Sequence, residues 1–134
     1  MDLYEELKER GLVYQVSNEE SVKKLLNTKG ASFYAGFDPS GESLQAGNLL
    51  IIMTMKRLEQ AGLKPIVLVG GATGLIGDPS FKNKERILKT EEEVEKNIKA
   101  MKNQLSRFFD FDKMAVLVNN YDWFKNYSFI NFIR

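Results

Sequence analysis

The stretch from Ala31 to Val69 decides the fold and reads ASFYAGFDPSGESLQAGNLLIIMTMKRLEQAGLKPIVLV. Its first seven residues alternate between large apolar and smaller or polar side chains, which predicts a strand with one buried face. A polar turn follows, residues 47–61 carry apolar side chains at helical spacing, and residues 64–69 predict a second, largely apolar strand. A strand, a helix and a strand in this order form a βαβ unit, whose strands are parallel. The sequence therefore predicts the α/β class.

Helical patterns lie on both sides of this unit. Residues 2–10 have apolar side chains at helical spacing, and Ser17 begins a capping box for a second helix that ends near Asn27. After the unit, Thr90 begins another capping box and a long charged helix that ends near Phe109. The buried stripe of this long helix is predicted to contain Val94, Ile98, Met101 and Leu105.

The predicted sheet is thin for its class. A third short strand is predicted at residues 114–118, and residues 129–133 have the pattern of one more helix. Doubly wound parallel sheets normally contain about five or six strands. We therefore expect half of a larger doubly wound domain.

The composition excludes several classes of function. The 134 residues include 19 Lys and Arg against 18 Asp and Glu, so the net charge of +1 provides no general attraction for nucleic acid. The absence of cysteine and histidine excludes disulfides, thiolate or imidazole metal sites and Ser-His-Asp triads. The acidic, amphipathic start and the lack of a long apolar run favour a cytoplasmic protein without a membrane partner.

The first candidate ligand segment, residues 36–48, follows the first strand. It delivers small and polar residues to a helix N-terminus, whose free N–H groups and positive dipole end suit a phosphate. Ser40, Gln45 and Asn48 would add side-chain donors. The alternative is an ordinary polar connection in which Ser43 caps the helix.

The second candidate segment, residues 70–80, follows the second strand and contains four glycines in eight residues, which permits close approach of its backbone. Asp78 could face a cation such as an amino group, or it could simply cap a tight turn. The basic run that follows is either a phosphate clamp or a solvated face, and consists of Lys82, Lys84, Arg86 and Lys89. Tyr34 could meet a ligand through its hydroxyl or be an ordinary core tyrosine.

Three strings carry a family resemblance: Phe33 to Leu50, Ala61 to Arg86, and Asn119 to Phe124. They resemble the bacterial tyrosyl-tRNA synthetases, and the sequence VGGATGLIGDPS is highly specific to that family. The general class I signature His-Ile-Gly-His stands here as Gln45-Ala46-Gly47-Asn48, so only its glycine is kept.

The resemblance implies a tyrosine–tRNA ligase with a Rossmann-like catalytic domain. The domain would be incomplete here, with N-terminal helices over residues 1–30 and a nucleotide-binding half over residues 31–134. Such enzymes join the tyrosine carboxylate to the α-phosphate of ATP, release pyrophosphate, and transfer tyrosine to tRNA(Tyr). ATP would enter as Mg-ATP, and no bound metal or prosthetic group is expected. This chemistry depends on positioning and charge stabilisation more than on proton transfer, so a chain without histidine is not disqualified.

The resemblance also implies roles for individual residues. The tyrosine-binding residues are Tyr34, at the phenol, Asp38, and Asp78, at the ammonium group. The ATP-binding residues are Gly36, Asp38, Ser40, Gln45, Gly47 and Asn48. The catalytic residues are Ser40, Gln45, Lys82 and Arg86. Lys82 and Arg86 are similar to cations that close on the pyrophosphate only in the transition state, and Ser40 stands where the family usually has threonine.

The family's later regions, which complete the tyrosine pocket and form the dimer interface, have no counterpart in these residues. We therefore expect a fragment that binds ATP weakly and is inactive alone. Its complete form would be a homodimer, or a complementary C-terminal fragment would pair with it. The alternative is a non-catalytic nucleotide-binding or interaction module derived from a synthetase.

Overall fold

The computed structural model describes residues 2–76 and 88–134. These two ranges contain seven helices and three strands, and β2 and α3 form within a residue of their predicted bounds. The elements are Leu3–Glu9 (α1), Glu19–Leu26 (α2), Ser32–Phe37 (β1), Ala46–Gln60 (α3), Lys64–Val69 (β2), Gly71–Ile76 (α4), Glu91–Leu105 (α5), Val116–Asn119 (β3), Tyr121–Phe124 (α6) and Phe129–Ile133 (α7). Among these helices, none is long and apolar enough to cross a membrane.

The described strands form one parallel sheet in the order β1-β2-β3. Tyr34 pairs with Ile66, and Ile66 pairs with Val116, so β2 lies in the centre. Its Pro65 removes one backbone donor but is tolerated at the start of the strand. The predicted α/β class and the parallel βαβ unit are confirmed.

The hydrophobic core lies on one face of this sheet. Phe37 on β1 and Val67 on β2 are buried, and α3 and α5 cover them with Ile52 and Leu105, each no more than 1 % exposed. The buried members of this core are Phe37, Ile52, Met55, Val67, Val69, Met101, Leu105, Phe109 and Ala115. Both long helices therefore share one face, and the described ranges form two layers rather than three.

The opposite face of the sheet is only partly covered. Ile66 and Leu68 on β2 are half-buried there, and Tyr34 on β1 is 72 % exposed. The interpretation of Tyr34 as a core tyrosine is therefore wrong. Helix α3 also buries less than its pattern predicts, since Leu50 and Met53 remain exposed.

Of the two N-terminal helices, α1 makes the contacts with the rest of the domain. Tyr4 and Leu7 are buried, and the carboxylate of Glu6 accepts a hydrogen bond from Arg57 on α3. Helix α2 begins after Asn18, whose side chain accepts from the Ser21 N–H at 2.8 Å, so the predicted cap at Ser17 is one residue early.

The contact between Glu6 and Arg57 predicts a pH-dependent stability. The Arg57 guanidinium holds the pKa of the Glu6 carboxyl below its usual value. A carboxyl whose pKa is lowered by folding stabilises the protein above its unfolded pKa and loses that effect as the pH falls through its folded pKa. We expect Glu6→Gln to lower the free energy of unfolding at pH 7, and we expect this difference from the wild type to shrink as the pH is lowered toward 3, measured by urea denaturation. An Arg57→Gln background should shrink this difference, whereas an equal loss at both pH values would contradict the assignment.

Candidate active site

The ends of the three strands bring the predicted ligand segments together. The Gly70 N–H donates to the Phe37 carbonyl at 3.0 Å, and the Asn120 N–H donates to the Val69 carbonyl at 3.1 Å. These bonds continue the ladder by one residue past each strand. The residues that follow β1, β2 and β3 therefore lie side by side at the carboxyl edge of the sheet, where open α/β sheets bind ligands.

Asp38 is fixed at this edge by the segment after β2. Its Oδ1 accepts a hydrogen bond from the Thr73 hydroxyl at 2.7 Å, while its side chain remains accessible to solvent. A Cβ atom on Gly70 would lie 2.3 Å from both Asp38 Oδ1 and Thr73 Oγ1. Only glycine fits at this position, and the close approach that it permits is to two side chains rather than to a ligand or another strand.

The glycine-rich segment forms the short helix α4, and the prediction of a tight turn is wrong for residues 71–76. Two consecutive asparagines, the last residue of β3 and the residue after it, hold its first turn. Asn119 Oδ1 accepts from the Gly71 N–H at 3.1 Å, and Asn120 Oδ1 accepts from the Ala72 N–H at 2.7 Å. Sequence analysis missed this role; an Asn pair directly after a strand was the available signal.

The polar turn, defined as residues 38–45, leads from β1 into α3. Gln45 occupies the N-cap position of α3, and its N–H donates to Asn48 Oδ1 at 2.9 Å. The alternative with Ser43 as the cap is therefore wrong. Because its Oδ1 caps the helix, Asn48 retains its Nδ2 group as the donor for a ligand.

The start of α3 is open to solvent. Gln45, Ala46 and Gly47 are exposed, and a Cβ atom on Gly47 would meet nothing within 4 Å. Ser40 is exposed on the same polar turn. This region combines free helix N–H groups, amide donors and an unobstructed approach, which is the chemistry that a phosphate requires.

Tyr34 and Gly36 alternate along β1 and lie on the less covered face of the sheet, leading toward Asp38. The structure thus brings seven of the predicted site residues to one edge and its adjoining face, with Gly47 and Asn48 in the first turn of α3. The seven are Tyr34, Gly36, Asp38, Ser40, Gln45, Gly47 and Asn48.

Lys89 does not belong with the proposed phosphate clamp. Its ammonium group donates to the Pro39 carbonyl at 3.1 Å and to the Ser40 carbonyl, so it stabilises the backbone of the polar turn. The remaining cations of the run, Lys82, Lys84 and Arg86, lie outside the described residues, as does Asp78.

A separate cleft of about 310 Å³ lies between α4, α5 and α6. Its walls include Leu75, Val94 and Tyr121, with Glu91 and Asp122 at the rim, and contain none of the predicted site residues. The candidate site is therefore the open carboxyl edge of the sheet rather than this more enclosed space.

Comparison with protein families gives one model match, to tRNA synthetases class I (W and Y), over residues 26–134. A tyrosine–tRNA ligase of Streptococcus pneumoniae, strain JJA, is 53% identical over 137 residues, which cover 100% of this chain and 33% of the relative. The chain thus spans about a third of the length of the curated relatives it matches.

Solved structures give the same result for the fold. A C-terminally truncated mitochondrial tyrosyl-tRNA synthetase of Aspergillus nidulans matches with a TM-score of 0.78 at 24% identity, over 99% of this chain and 41% of that one. The corresponding protein of Coccidioides posadasii matches with a TM-score of 0.71 at 28% identity, over 97% and 38%. The predicted Rossmann-like fold is confirmed by these matches.

Proposed function

We propose that this chain forms the ATP-binding part and some of the tyrosine-binding part of a tyrosine-activating site. The chain belongs to the class I tRNA synthetase family for tryptophan and tyrosine. The whole reaction would join tyrosine to ATP as tyrosyl-adenylate and pass tyrosine to tRNA(Tyr). The observation that carries the proposal is the exposed polar turn and α3 N-terminus beside Asp38, at the edge where parallel sheets bind nucleotides.

The ATP would lie along the polar turn and the start of α3. Ser40 and Gln45 would donate hydrogen bonds to the departing pyrophosphate, and Asn48 would contact the ribose through its Nδ2 group. The α3 N-terminus would stabilise the charge that develops on the phosphates, since its N–H groups are fixed before the reaction begins. Gly36 and Gly47 would let the adenosine moiety approach the backbone.

The tyrosine would lie over the less covered sheet face. Tyr34 would hydrogen-bond its phenol, and Asp38 would line the site near the amino acid and the α-phosphate. Asp78 would receive the ammonium group, and Lys82 and Arg86 would close on the pyrophosphate in the transition state. Lys84 is not assigned a role.

The same proposal includes Mg-ATP as the substrate form, a cytoplasmic location, and a homodimer as the complete enzyme. Tyrosine rather than tryptophan is the proposed amino acid because the curated relative is a tyrosine–tRNA ligase at 53% identity over the full chain. The whole activity belongs to a protein about three times this length, so residues 1–134 would contribute one part of the site.

Gly47 offers a variant that separates stability from binding. Gly47→Ala should raise the free energy of unfolding by about 0.5–1 kcal/mol, because glycine near a helix start costs conformational entropy and an added Cβ meets nothing. The same Cβ should weaken ATP binding, because it enters the space proposed for the adenosine moiety. Urea denaturation and calorimetric titration with millimolar ATP measure the two effects.

The matched control is Asn103→Ala, at an exposed position within α5, which should also raise the free energy of unfolding because alanine favours a helix more than asparagine does. It should leave ATP binding within twofold of the wild type. Unchanged ATP affinity in Gly47→Ala would remove Gly47 from the proposed site, and no ATP binding by the folded wild type would contradict the proposed function.

A further inference from the structure

Two amide side chains on α5 hold the polar turn at opposite ends. Gln104 uses both of its polar atoms: Oε1 accepts from the Leu44 N–H at 3.0 Å, and Nε2 donates to the Glu42 carbonyl at 3.0 Å. Leu44 directly precedes the N-cap of α3. Gln104 therefore fixes the point at which the turn enters the helix.

Asn97 holds the other end. It is a polar side chain only 7% exposed, and its Nδ2 donates to the Pro39 carbonyl at 3.1 Å. Pro39 is itself buried and immediately precedes Ser40. A buried amide that lost this partner would leave an unsatisfied donor, so the bond strongly favours one position of the turn.

Both amides belong to α5, a helix that is packed into the core. They are seven residues apart, which is about two turns of helix, and so lie on the same side of α5. Met101 and Leu105 on the same helix are buried in the core. The ion pair between Lys96 and Glu42 adds a third link from α5 at 2.8 Å, but both side chains are exposed and the pair contributes little. Lys89, just before α5, donates to the Pro39 and Ser40 carbonyls as well.

We propose that Asn97 and Gln104 are positioning residues that set the polar turn, and with it Ser40 and Gln45, in the geometry that ATP binding requires. This inference rests on the proposed function. Neither residue was assigned a role by the sequence resemblance, and neither belongs to the open edge itself. They act through contacts with the backbone of the turn.

The test compares substitutions at Gln104 in the whole chain. Gln104→Met keeps the size of the side chain and removes both hydrogen bonds, Gln104→Glu keeps the acceptor for the Leu44 N–H, and Asn103→Met is the control on an exposed neighbour. Each variant is ¹⁵N-labelled, its Leu44 amide exchange is measured, and its ATP affinity is obtained by titration of amide shifts. Asn97→Leu tests the second contact in the same way.

We expect faster exchange at Leu44 and about three- to tenfold weaker ATP binding in Gln104→Met, a smaller loss in Gln104→Glu, and no change in Asn103→Met. Asn97→Leu should weaken ATP binding without altering Leu44 exchange. A purely structural role would lower the melting temperature while leaving the ATP affinity of the folded protein unchanged, and that result would overturn the inference alone. Absence of ATP binding in the wild type would overturn the proposed function and the inference with it.

Discussion

Phe37→Ala is expected to lower the free energy of unfolding by about 3–5 kcal/mol, the usual cost of truncating a buried phenylalanine. Phe37 is 1% exposed and is the last residue of β1, where it contacts the core that α3 and α5 form. Domains of this kind are stable by only about 5–15 kcal/mol. The variant should therefore unfold at a much lower urea concentration, followed by circular dichroism, and should lose order first at the polar turn that begins with the next residue.

The control truncates the same type of side chain at an exposed position. Phe132 lies on α7 and is 75% exposed, so Phe132→Ala should change the free energy of unfolding by less than about 0.5 kcal/mol. Equal losses in the two variants would contradict the placement of the core on the α3 and α5 face of the sheet.

Gln45→Ala is expected to slow tyrosine activation by about 10²–10³-fold, the range measured when one transition-state donor is removed. The substitution leaves the backbone N–H groups of α3 in place and deletes only the side-chain amide at its N-cap position. Because the proposed contact forms with the departing pyrophosphate, the rate should fall while tyrosine affinity is unchanged. The assay is tyrosine-dependent exchange of ATP with pyrophosphate in a chimera, in which residues 1–134 replace the matching third of the Streptococcus pneumoniae ligase.

Gln45→His provides the comparison for this result. The family signature has histidine at this position, and both side chains can donate a hydrogen bond, so Gln45→His should retain most of the rate. If Gln45→Ala were as active as the unmodified chimera, Gln45 would have no role in activation and the pyrophosphate would have to lie elsewhere.

The parts of the fold that the sequence predicts well depend on local signals. Strand β2 has Pro65 as its second residue, followed by four apolar residues, and it lies between Gly62 and Gly70. It has its predicted bounds of Lys64–Val69. The capping box at Thr90 is also confirmed, since its side chain accepts from the Glu93 N–H at 3.2 Å. Alternation, apolar runs and capping residues each depend on residues only a few positions apart in the sequence, so they can be interpreted without the rest of the structure.

The parts that were missed depend on distant contacts. Helix α4 contains two glycines in six residues and has little intrinsic tendency to be helical, and it forms where Asn119 and Asn120, nearly fifty positions away, accept its first N–H groups. The buried position of Asn97 was missed for the same reason. It lies between Val94 and Met101 on the buried stripe, but its partner is a carbonyl fifty-eight positions earlier.

The candidate site shows the same division. Residue spacing alone leaves two alternatives at the carboxyl end of β1, a phosphate-binding turn or an ordinary polar connection, because a strand, a polar turn and a helix N-terminus follow one another. The roles of Tyr34 and Asp38 toward tyrosine came from resemblance. The structure adds contacts that neither the spacing nor the resemblance predicts. These are the hydrogen bond from the Thr73 hydroxyl to Asp38 and the hydrogen bonds between the two α5 amides and the backbone of the polar turn.

Amide chemical shifts of the ¹⁵N-labelled chain, recorded during titration with Mg-ATP to millimolar concentration, test the central claim most directly. Our account predicts that the largest shifts occur at Gly36, in the polar turn and at residues 46–48, while the cleft between α4, α5 and α6 is little affected. A folded chain whose polar turn does not respond to ATP, or whose shifts are confined to that cleft, would contradict the claim that this edge of the sheet binds the nucleotide.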